Sequence, residues 1–135
     1  YLITTNDGTR ILVWAGMTSP DQKHCFADLH PDLALMHVSP KQDFAEFAAL
    51  TAAMGTKVII PHHYDCTERL FEAIPEAMNN MSEANRKAFV HDGKFSFPEY
   101  MRALETACRA QNPGAALVMP EHHRWYRFGF CCAAE

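Results

Sequence analysis

The sequence predicts an α/β fold with parallel strands, and three observations support this prediction. A strand-like apolar run, LALMHV, is followed by an amphipathic helical pattern and then by a second strand-like run, KVIIP. Strand, helix and strand in this order form a βαβ unit, in which the two strands run parallel and the helix crosses one face of the sheet. A β-rich hairpin precedes the unit and more helical patterns follow it, so we treat residues 1–135 as a single domain.

The first element is the β-hairpin. Leu2–Thr5 and Ile11–Trp14 are rich in β-forming residues, and the Asn-Asp-Gly sequence between them indicates a tight turn because Asn and Gly tolerate positive φ. The polar residues from Met17 to Pro31 then predict a loop. This loop leads to the first strand of the βαβ unit, Leu33–Val38.

The helix of the βαβ unit has start, face and stop signals. Ser39 is placed to cap it, Pro40 suits the first helical position, and Gln42 completes a capping box. Gly55 is a typical residue for the end of a helix, and the second strand, Lys57–Pro61, follows. Apolar residues at helical spacing predict one buried face, made of Phe44, Phe47, Ala48, Thr51 and Met54.

Two further helical patterns follow the βαβ unit. Thr67–Asn79 predicts a helix that Pro75 interrupts, because proline lacks the N–H that a helix interior needs. Ser82–Asp92 predicts a second, shorter helix.

The last part of the chain predicts one long helix and two closing strands. Ser96 and Glu99 form a capping-box pattern for a helix over Phe97–Ala110. The sequences AALVM (115–119) and HRWYRFGF (123–130) then read as strands. The residues expected on the buried face of the helix are Tyr100, Met101, Leu104 and Cys108.

Composition excludes several classes of function. Apolar residues make up 48% of the chain and charged residues 21%, and the net charge is −4 with acids and bases interspersed. No basic stripe indicates a nucleic-acid partner, and no polybasic cluster or long apolar run indicates a membrane partner. Five cysteines without regular spacing predict a reducing compartment, and we therefore expect a cytoplasmic protein.

Polar residues capable of metal binding follow the second βαβ strand directly: His62, His63, Tyr64 and Asp65. Open α/β sheets bind ligands beyond the carboxyl ends of their strands, so these four residues form the candidate site. A catalytic zinc needs three protein ligands, and a histidine pair at a strand end is also a common hydrogen-bonded feature. For Asp65, a cap of the following helix is an equal alternative.

The order of elements and two sequences, PDLALMHVSP and KVIIPHHYD, resemble the C-terminal half of the metallo-β-lactamase-fold hydrolases. The branch that includes ascorbate-phosphate lactonase is the most similar. The resemblance spans Leu2–Asp65 and continues loosely through the last helix and strand. It implies an α/β fold that forms the C-terminal half of a four-layer αββα sandwich, and a metal-dependent hydrolase acting on a small-molecule substrate.

The resemblance also implies roles for individual residues. His63 matches the family's histidine before the tyrosine, which is a ligand of a divalent metal, zinc or manganese. His62 falls at a variable position, and it lines the site together with Tyr64 and Asp65 or orients the ligands from the second shell. In this family a metal-activated water attacks the substrate, and lactone, phosphoester and amide groups all fit that chemistry.

Two departures from the family pattern concern the rest of the metal site. The family's histidine-rich ligand cluster lies in an N-terminal half that this sequence does not contain. Because Tyr1 stands directly before a strand-like run, we expect a piece of a longer protein. A half-domain that pairs with a second copy is an alternative that the resemblance to half of a sandwich suggests. A half sandwich leaves an apolar sheet face that needs a partner. Met17 stands where the family has a bridging aspartate, and a thioether is a poor zinc ligand.

The sequence leaves alternatives to this hydrolase. Met17 favours a degenerate, non-catalytic scaffold or ligand-binding domain, and a small α/β binding domain outside the family is a further alternative. Asp21 and His24 lie in the loop after Met17, where solvated residues are the simpler interpretation than replacement ligands. His122 and His123 lie at the start of the last predicted strand, and we expect a polar turn there and no second metal site.

Overall fold

The protein is a mixed α/β fold on one five-stranded sheet, and the computed structural model describes residues 1–16, 18–121 and 124–129. The strands of this sheet are β1 (Leu2–Thr4), β2 (Arg10–Trp14), β3 (Leu33–His37), β4 (Val58–His62) and β7 (Ala116–Leu117). A separate hairpin consists of β5 (Val90–His91) and β6 (Lys94–Phe95). The α-helices are α1 (Lys23–Phe26), α2 (Phe44–Ala53), α3 (Tyr64–Ala73), α4 (Glu83–Phe89) and α5 (Phe97–Gln111), and 3₁₀ turns cover Pro20–Gln22 and Pro75–Asn80.

The sheet confirms the predicted hairpin and the predicted βαβ unit. Its spatial order is β1-β2-β3-β4-β7, in which β1 is antiparallel to β2 and the other neighbours are parallel. Gly8 in the hairpin turn has φ +85°, a conformation that glycine adopts without strain. The helix α2 connects the parallel strands β3 and β4, as the sequence pattern predicts.

One face of the sheet packs against α2 and α5 and forms the main core. Leu12, Ala34 and Ile59 are direct cross-strand neighbours on this face and are almost fully buried. Phe47 of α2 and Leu104 of α5 belong to the same buried cluster, each with no exposed surface. The predicted buried faces of both helices are therefore confirmed, with Phe44 only partly buried at the edge.

The opposite face of the sheet is apolar but is not part of this core. Side chains alternate between the two faces of a strand, so the residues next to the core-facing ones point to the other side. The strand register places them in two cross-strand rows, and none belongs to the main core cluster. All except Leu33 are partly or fully exposed. We call these eight residues the open face: Ile3, Ile11, Leu33, Val58 and Ala116 in one row, and Val13, Leu35 and Ile60 in the other.

A cavity borders one end of the open face. Phe128, together with Ile11 and Leu33, lines this cavity of about 530 Å³ beside the hairpin turn. This cavity lies at the amino-terminal ends of the parallel strands, because Ile11 and Leu33 stand at the beginnings of β2 and β3. The carboxyl ends of the strands, where the candidate site lies, are at the opposite edge.

The start of α2 differs from the prediction. Asp43 is its N-cap, and the Asp43 carboxylate accepts hydrogen bonds from the Ala45 and Glu46 backbone N–H groups at 2.7 and 3.1 Å. Ser39 does not cap the helix, since its hydroxyl accepts a bond from the Lys41 N–H within the preceding turn. A carboxylate also interacts favourably with the positive end of the helix dipole, which explains why Asp43 takes the capping position.

The structure also corrects the loop and helices around the βαβ unit. The predicted loop from Met17 to Pro31 contains the 3₁₀ turn Pro20–Gln22 and the helical turn α1. The helix α3 begins at Tyr64, three residues before the predicted Thr67. It ends before Pro75, as expected, and a 3₁₀ segment follows.

The predicted helix Ser82–Asp92 is too long. Ser82 caps α4 through a bond from the Asn85 N–H to its hydroxyl, but the helix ends at Phe89. The chain then turns into the β5–β6 hairpin, where Asp92 and Gly93 both have positive φ. An Asp-Gly pair is a strong hairpin signal, so this correction has a local cause in the sequence.

The last elements match the prediction in part. The helix α5 ends at Gln111, one residue beyond the predicted end, and Ser96 holds the N-cap position without a side-chain capping bond. The strand β7 lies within AALVM. Of the second predicted strand, residues 124–129 form neither helix nor strand, and residues 123 and 130 lie outside the described ranges.

Asp32 ties together the beginnings of three strands, which gives a prediction for pH dependence. Its carboxylate accepts bonds from the Lys57 ammonium at 2.7 Å and from the Arg10 N–H at 2.9 Å, and the Lys57 bond is the larger cause of the lowered pKa of Asp32. Because the pKa of Asp32 is lower in the folded state, its ionised carboxylate stabilises the fold fully at pH values above the ordinary pKa of 3.8. This contribution is lost as the pH falls through the folded-state pKa. We expect Asp32→Asn to cost about 0.5–1 kcal/mol at neutral pH and nothing in strong acid, as urea unfolding against pH will show.

Candidate functional site

The candidate site lies at the carboxyl edge of the two central parallel strands. His37 is the last residue of β3 and His62 the last of β4, and the two are direct cross-strand partners. Their ring centroids are 5.8 Å apart. Because His37 follows Leu35 by two residues and His62 follows Ile60 by two, both imidazoles project on the side of the open face. His37 and His62 therefore form a third cross-strand row on this face, at the carboxyl edge of the sheet.

His63 joins the pair because the backbone turns sharply after β4. It is the N-cap residue of α3 and has φ +69° and ψ 1°, the left-handed conformation that few residues other than glycine adopt. This conformation interrupts the alternation of the strand. The His63 ring consequently lies 4.8 Å from the His62 ring and 4.9 Å from the His37 ring, measured between centroids, and is almost perpendicular to the latter.

Both ring nitrogens of His62 have partners. Its Nε2 lies 3.0 Å from the backbone carbonyl oxygen of Trp14, and its Nδ1 lies 2.6 Å from Nδ1 of His63. A carbonyl oxygen can only accept a hydrogen bond, so Nε2 of His62 carries a proton and donates it to Trp14. His62 thus links the end of β2 to the first residue after β4.

The environments of His37 and His62 favour neutral imidazoles. Burial lowers the pKa of His37, and the neighbouring His63 and His62 rings lower it further, while the Gly16 carbonyl acts in the opposite direction. Burial also lowers the pKa of His62, and the Trp14 carbonyl partly opposes this effect. A neutral imidazole has a lone pair on one nitrogen, which is the form that binds metals.

The described residues do not form a complete metal site at the cluster. Across residues 1–16, 18–121 and 124–129, no group of three or more His, Cys, Asp or Glu side chains is arranged to hold a metal ion. His62 has no free nitrogen, since both are hydrogen-bonded. His63 is exposed and its Nδ1 is bonded to His62, so Nε2 is the nitrogen for which the described residues give no hydrogen-bond partner. The described donor set could therefore provide one ligand of a zinc or manganese ion, and it lacks the further protein ligands of a catalytic zinc.

Tyr64 and Asp65 lie in the first turn of α3 and not in a loop. The proposed capping role of Asp65 is wrong, because the helix begins one residue before it and His63 occupies the N-cap position. Whether Tyr64 and Asp65 line the site stays a prediction. Their helical backbone places them directly beyond the carboxyl end of β4.

The other candidates do not join the cluster in the described chain. Met17, His122 and His123 lie outside the described residues. Asp21 belongs to the 3₁₀ turn before α1. His24 lies within α1, and its Nε2 contacts the Cys25 thiol at 3.3 Å.

His37 is a member of the cluster that the sequence analysis did not select. Its Nδ1 is buried and has no hydrogen-bond partner among the described residues. A signal for it exists in the sequence, because LALMHV ends in His37 just as KVIIPH ends in His62. Two parallel strands of one βαβ unit end at the same edge of the sheet, so histidines at both ends should meet.

Comparisons with known proteins do not identify a relative. The chain matches no protein-family model, no curated protein and no solved structure. None of the helices in the described ranges combines the length and the apolar composition that a membrane-spanning helix needs.

Proposed function

We propose that this chain supplies the C-terminal half of the active site of a metal-dependent hydrolase, with His63 as a ligand of zinc or manganese. The observation that carries the proposal is the position of His63. Its exposed imidazole stands at the carboxyl edge of a parallel sheet, beside two half-buried histidines. Ligand sites of open α/β sheets lie at this edge.

The chemistry follows from a cation held at His63. A bound divalent cation would supply a water nucleophile of lowered pKa, which suits a lactone, phosphoester or amide substrate. The residues of this chain bind and shape the site: His63 binds the metal, while His37 and His62 form its half-buried wall. We assign Tyr64 and Asp65, at the start of α3, to the lining of the substrate pocket.

The open face supports the proposal that the site is completed from outside this chain. The two apolar rows lead directly to His37 and His62, because Leu35 and Ile60 are the next residues on the same side of β3 and β4. A second sheet that covers the rows therefore also reaches the histidine cluster and can bring further ligands to it. We assign this sheet to an N-terminal half-domain of the same protein, and a second copy of the chain is the other outcome of the tests.

Met17 favours a second candidate function. A methionine at the position of a bridging carboxylate contributes neither negative charge nor a hard ligand. The fold then serves as a non-catalytic scaffold or ligand-binding domain. The two candidates differ in whether the protein hydrolyses a substrate. The protein encoded by the longest natural coding sequence that contains this chain can be assayed with a panel of lactones, phosphoesters and amides: hydrolysis supports the enzyme, and no hydrolysis supports the scaffold.

Zinc binding to the longest natural protein that contains this chain tests the ligand role of His63, because the other ligands are proposed to come from outside the chain. We expect calorimetric titration to show that His63→Ala weakens zinc binding at least tenfold, since even residues that only support a ligand contribute about 10–100-fold. His91→Ala is the matched control, because His91, on strand β5, is also exposed but bonds Glu99 of α5. Equal zinc affinities of the two variants, or no zinc binding by the unmodified protein, would refute the assignment.

A further inference from the structure

We infer that His62 is a positioning residue that selects the tautomer of His63, so that Nε2 of His63 is the nitrogen offered to a metal. The role of His63 as a metal ligand rests on the proposed function, but the tautomer of His63 can be measured without a metal. Three groups carry it: the Trp14 carbonyl, the His62 ring and the His63 ring.

The direction of the hydrogen bonds follows from the carbonyl at one end. The Trp14 oxygen accepts from Nε2 of His62 at 3.0 Å, which assigns the single proton of a neutral His62 ring to Nε2. Nδ1 of His62 then has only a lone pair. The contact of 2.6 Å between the two Nδ1 atoms therefore requires His63 to donate its Nδ1 proton.

The consequence is an oriented lone pair on His63. With its proton on Nδ1, a neutral His63 has an unprotonated Nε2, the atom farther from the backbone. In metal sites the ligating histidine typically donates its other N–H to a neighbouring acceptor, which fixes the ring and makes the ligating nitrogen more basic. Here the acceptor is a second histidine, itself fixed by a backbone carbonyl 48 residues earlier in the chain.

The left-handed backbone conformation of His63 brings its ring into contact with His62. A non-glycine residue in the left-handed region is strained, and such residues persist where the surrounding structure holds them. The positive φ turns the His63 ring back toward His62. The α3 helix starts from this residue, with the Thr67 N–H and hydroxyl both bonded to the His63 carbonyl at 3.3 and 3.1 Å.

Nitrogen NMR of the full, metal-free chain tests the inference. At about pH 8, where free histidine is neutral, long-range ¹H–¹⁵N correlations distinguish a protonated Nδ1 from a protonated Nε2. We expect His63 in the unmodified chain to show a protonated Nδ1 and an unprotonated Nε2. His62→Phe removes the acceptor and should leave His63 as a mixture of both tautomers.

His62→Asn is the conservative variant that separates positioning from packing. The Asn oxygen occupies about the place of Nδ1 in the histidine ring and can accept the same bond from His63. We expect His62→Asn to retain the protonated Nδ1. In the longest natural protein that contains this chain, we expect His62→Phe to weaken zinc binding about 10–100-fold relative to His62→Asn. A protonated Nε2 on His63 in the unmodified chain, or an unchanged tautomer in His62→Phe, overturns the inference.

The two proposals fail in different ways. The expected His63 tautomer in the chain, together with no zinc affinity of the longest natural protein that contains it, sustains the inference on His62 as a positioning residue and refutes the metal-binding function. Zinc binding at His63 with the opposite tautomer does the reverse. The unmodified chain alone gives a decisive NMR result, so the test stands even if His62→Phe fails to fold.

Discussion

Replacing Ile59 with alanine is expected to lower the free energy of unfolding by about 2–5 kcal/mol, whereas replacing Ile60 should cost the isolated chain about 1 kcal/mol or less. Ile59 points into the core between the sheet and its helices and has no exposed surface. Its truncation removes buried methyl groups and leaves a cavity. Ile60 lies on the open face and is only partly buried, so it loses less contact on truncation.

The two residues form an unusually well-matched pair. They are consecutive, of the same type and in the same strand, so β-propensity and strand position are nearly equal for both. Urea unfolding followed by circular dichroism gives both costs in one experiment. Equal costs would mean that the open face is already covered in the isolated chain.

The same pair tests whether another sheet covers the open face in the complete protein. We expect the cost of Ile60→Ala to rise to that of Ile59→Ala, about 2–5 kcal/mol, when the longest natural protein containing this chain is unfolded instead. Light scattering of the isolated chain distinguishes the remaining case, in which a second copy covers the face. An Ile60→Ala cost that stays low in the long protein, together with a monomeric isolated chain, contradicts the partner proposal.

The sequence predicts the strands better than the boundaries of the helices. KVIIP is a run of β-forming residues between Gly55 and a polar segment, and β4 lies within one residue of the predicted range. The predicted start of α2 is wrong because several residues before the helix have side chains that can cap it. Asp43 and Ser39 compete for that position, and the outcome depends on how the loop before the helix folds.

The position of the candidate site can be predicted from the sequence, but the hydrogen bonds between its residues cannot. A strand-end rule selects His62 and His63, and the same rule applied to β3 finds His37. The bond from His62 to the Trp14 carbonyl depends on the register of three strands, which no local pattern contains. The left-handed conformation of His63 is likewise a property of the turn between strand and helix, and histidine is not a residue that predicts it reliably.

Replacing Asn85 with alanine is the second substitution that we expect to lower the free energy of unfolding strongly, because the Asn85 side chain holds the loop that follows His37. Its Nδ2 donates to the Pro40 carbonyl at 2.9 Å and to the Gln42 carbonyl at 3.0 Å, and the residue is only 9% exposed. Asn85→Ala removes both bonds and leaves two carbonyl groups without these partners in a largely dry environment. At about 1–2 kcal/mol for each lost bond, we expect a total cost of about 2–4 kcal/mol.

Asn112→Ala is the matched control for Asn85→Ala. Asn112 donates a single side-chain bond, to the Thr56 carbonyl at 3.2 Å, and is partly exposed, so we expect a loss of about 1 kcal/mol or less. Urea unfolding of both variants measures the difference. If the two substitutions cost the same, the Asn85 bonds do not hold the loop, and the Tyr100 hydroxyl, which donates to the Ser39 carbonyl at 2.8 Å, is then the group that fixes the chain after His37.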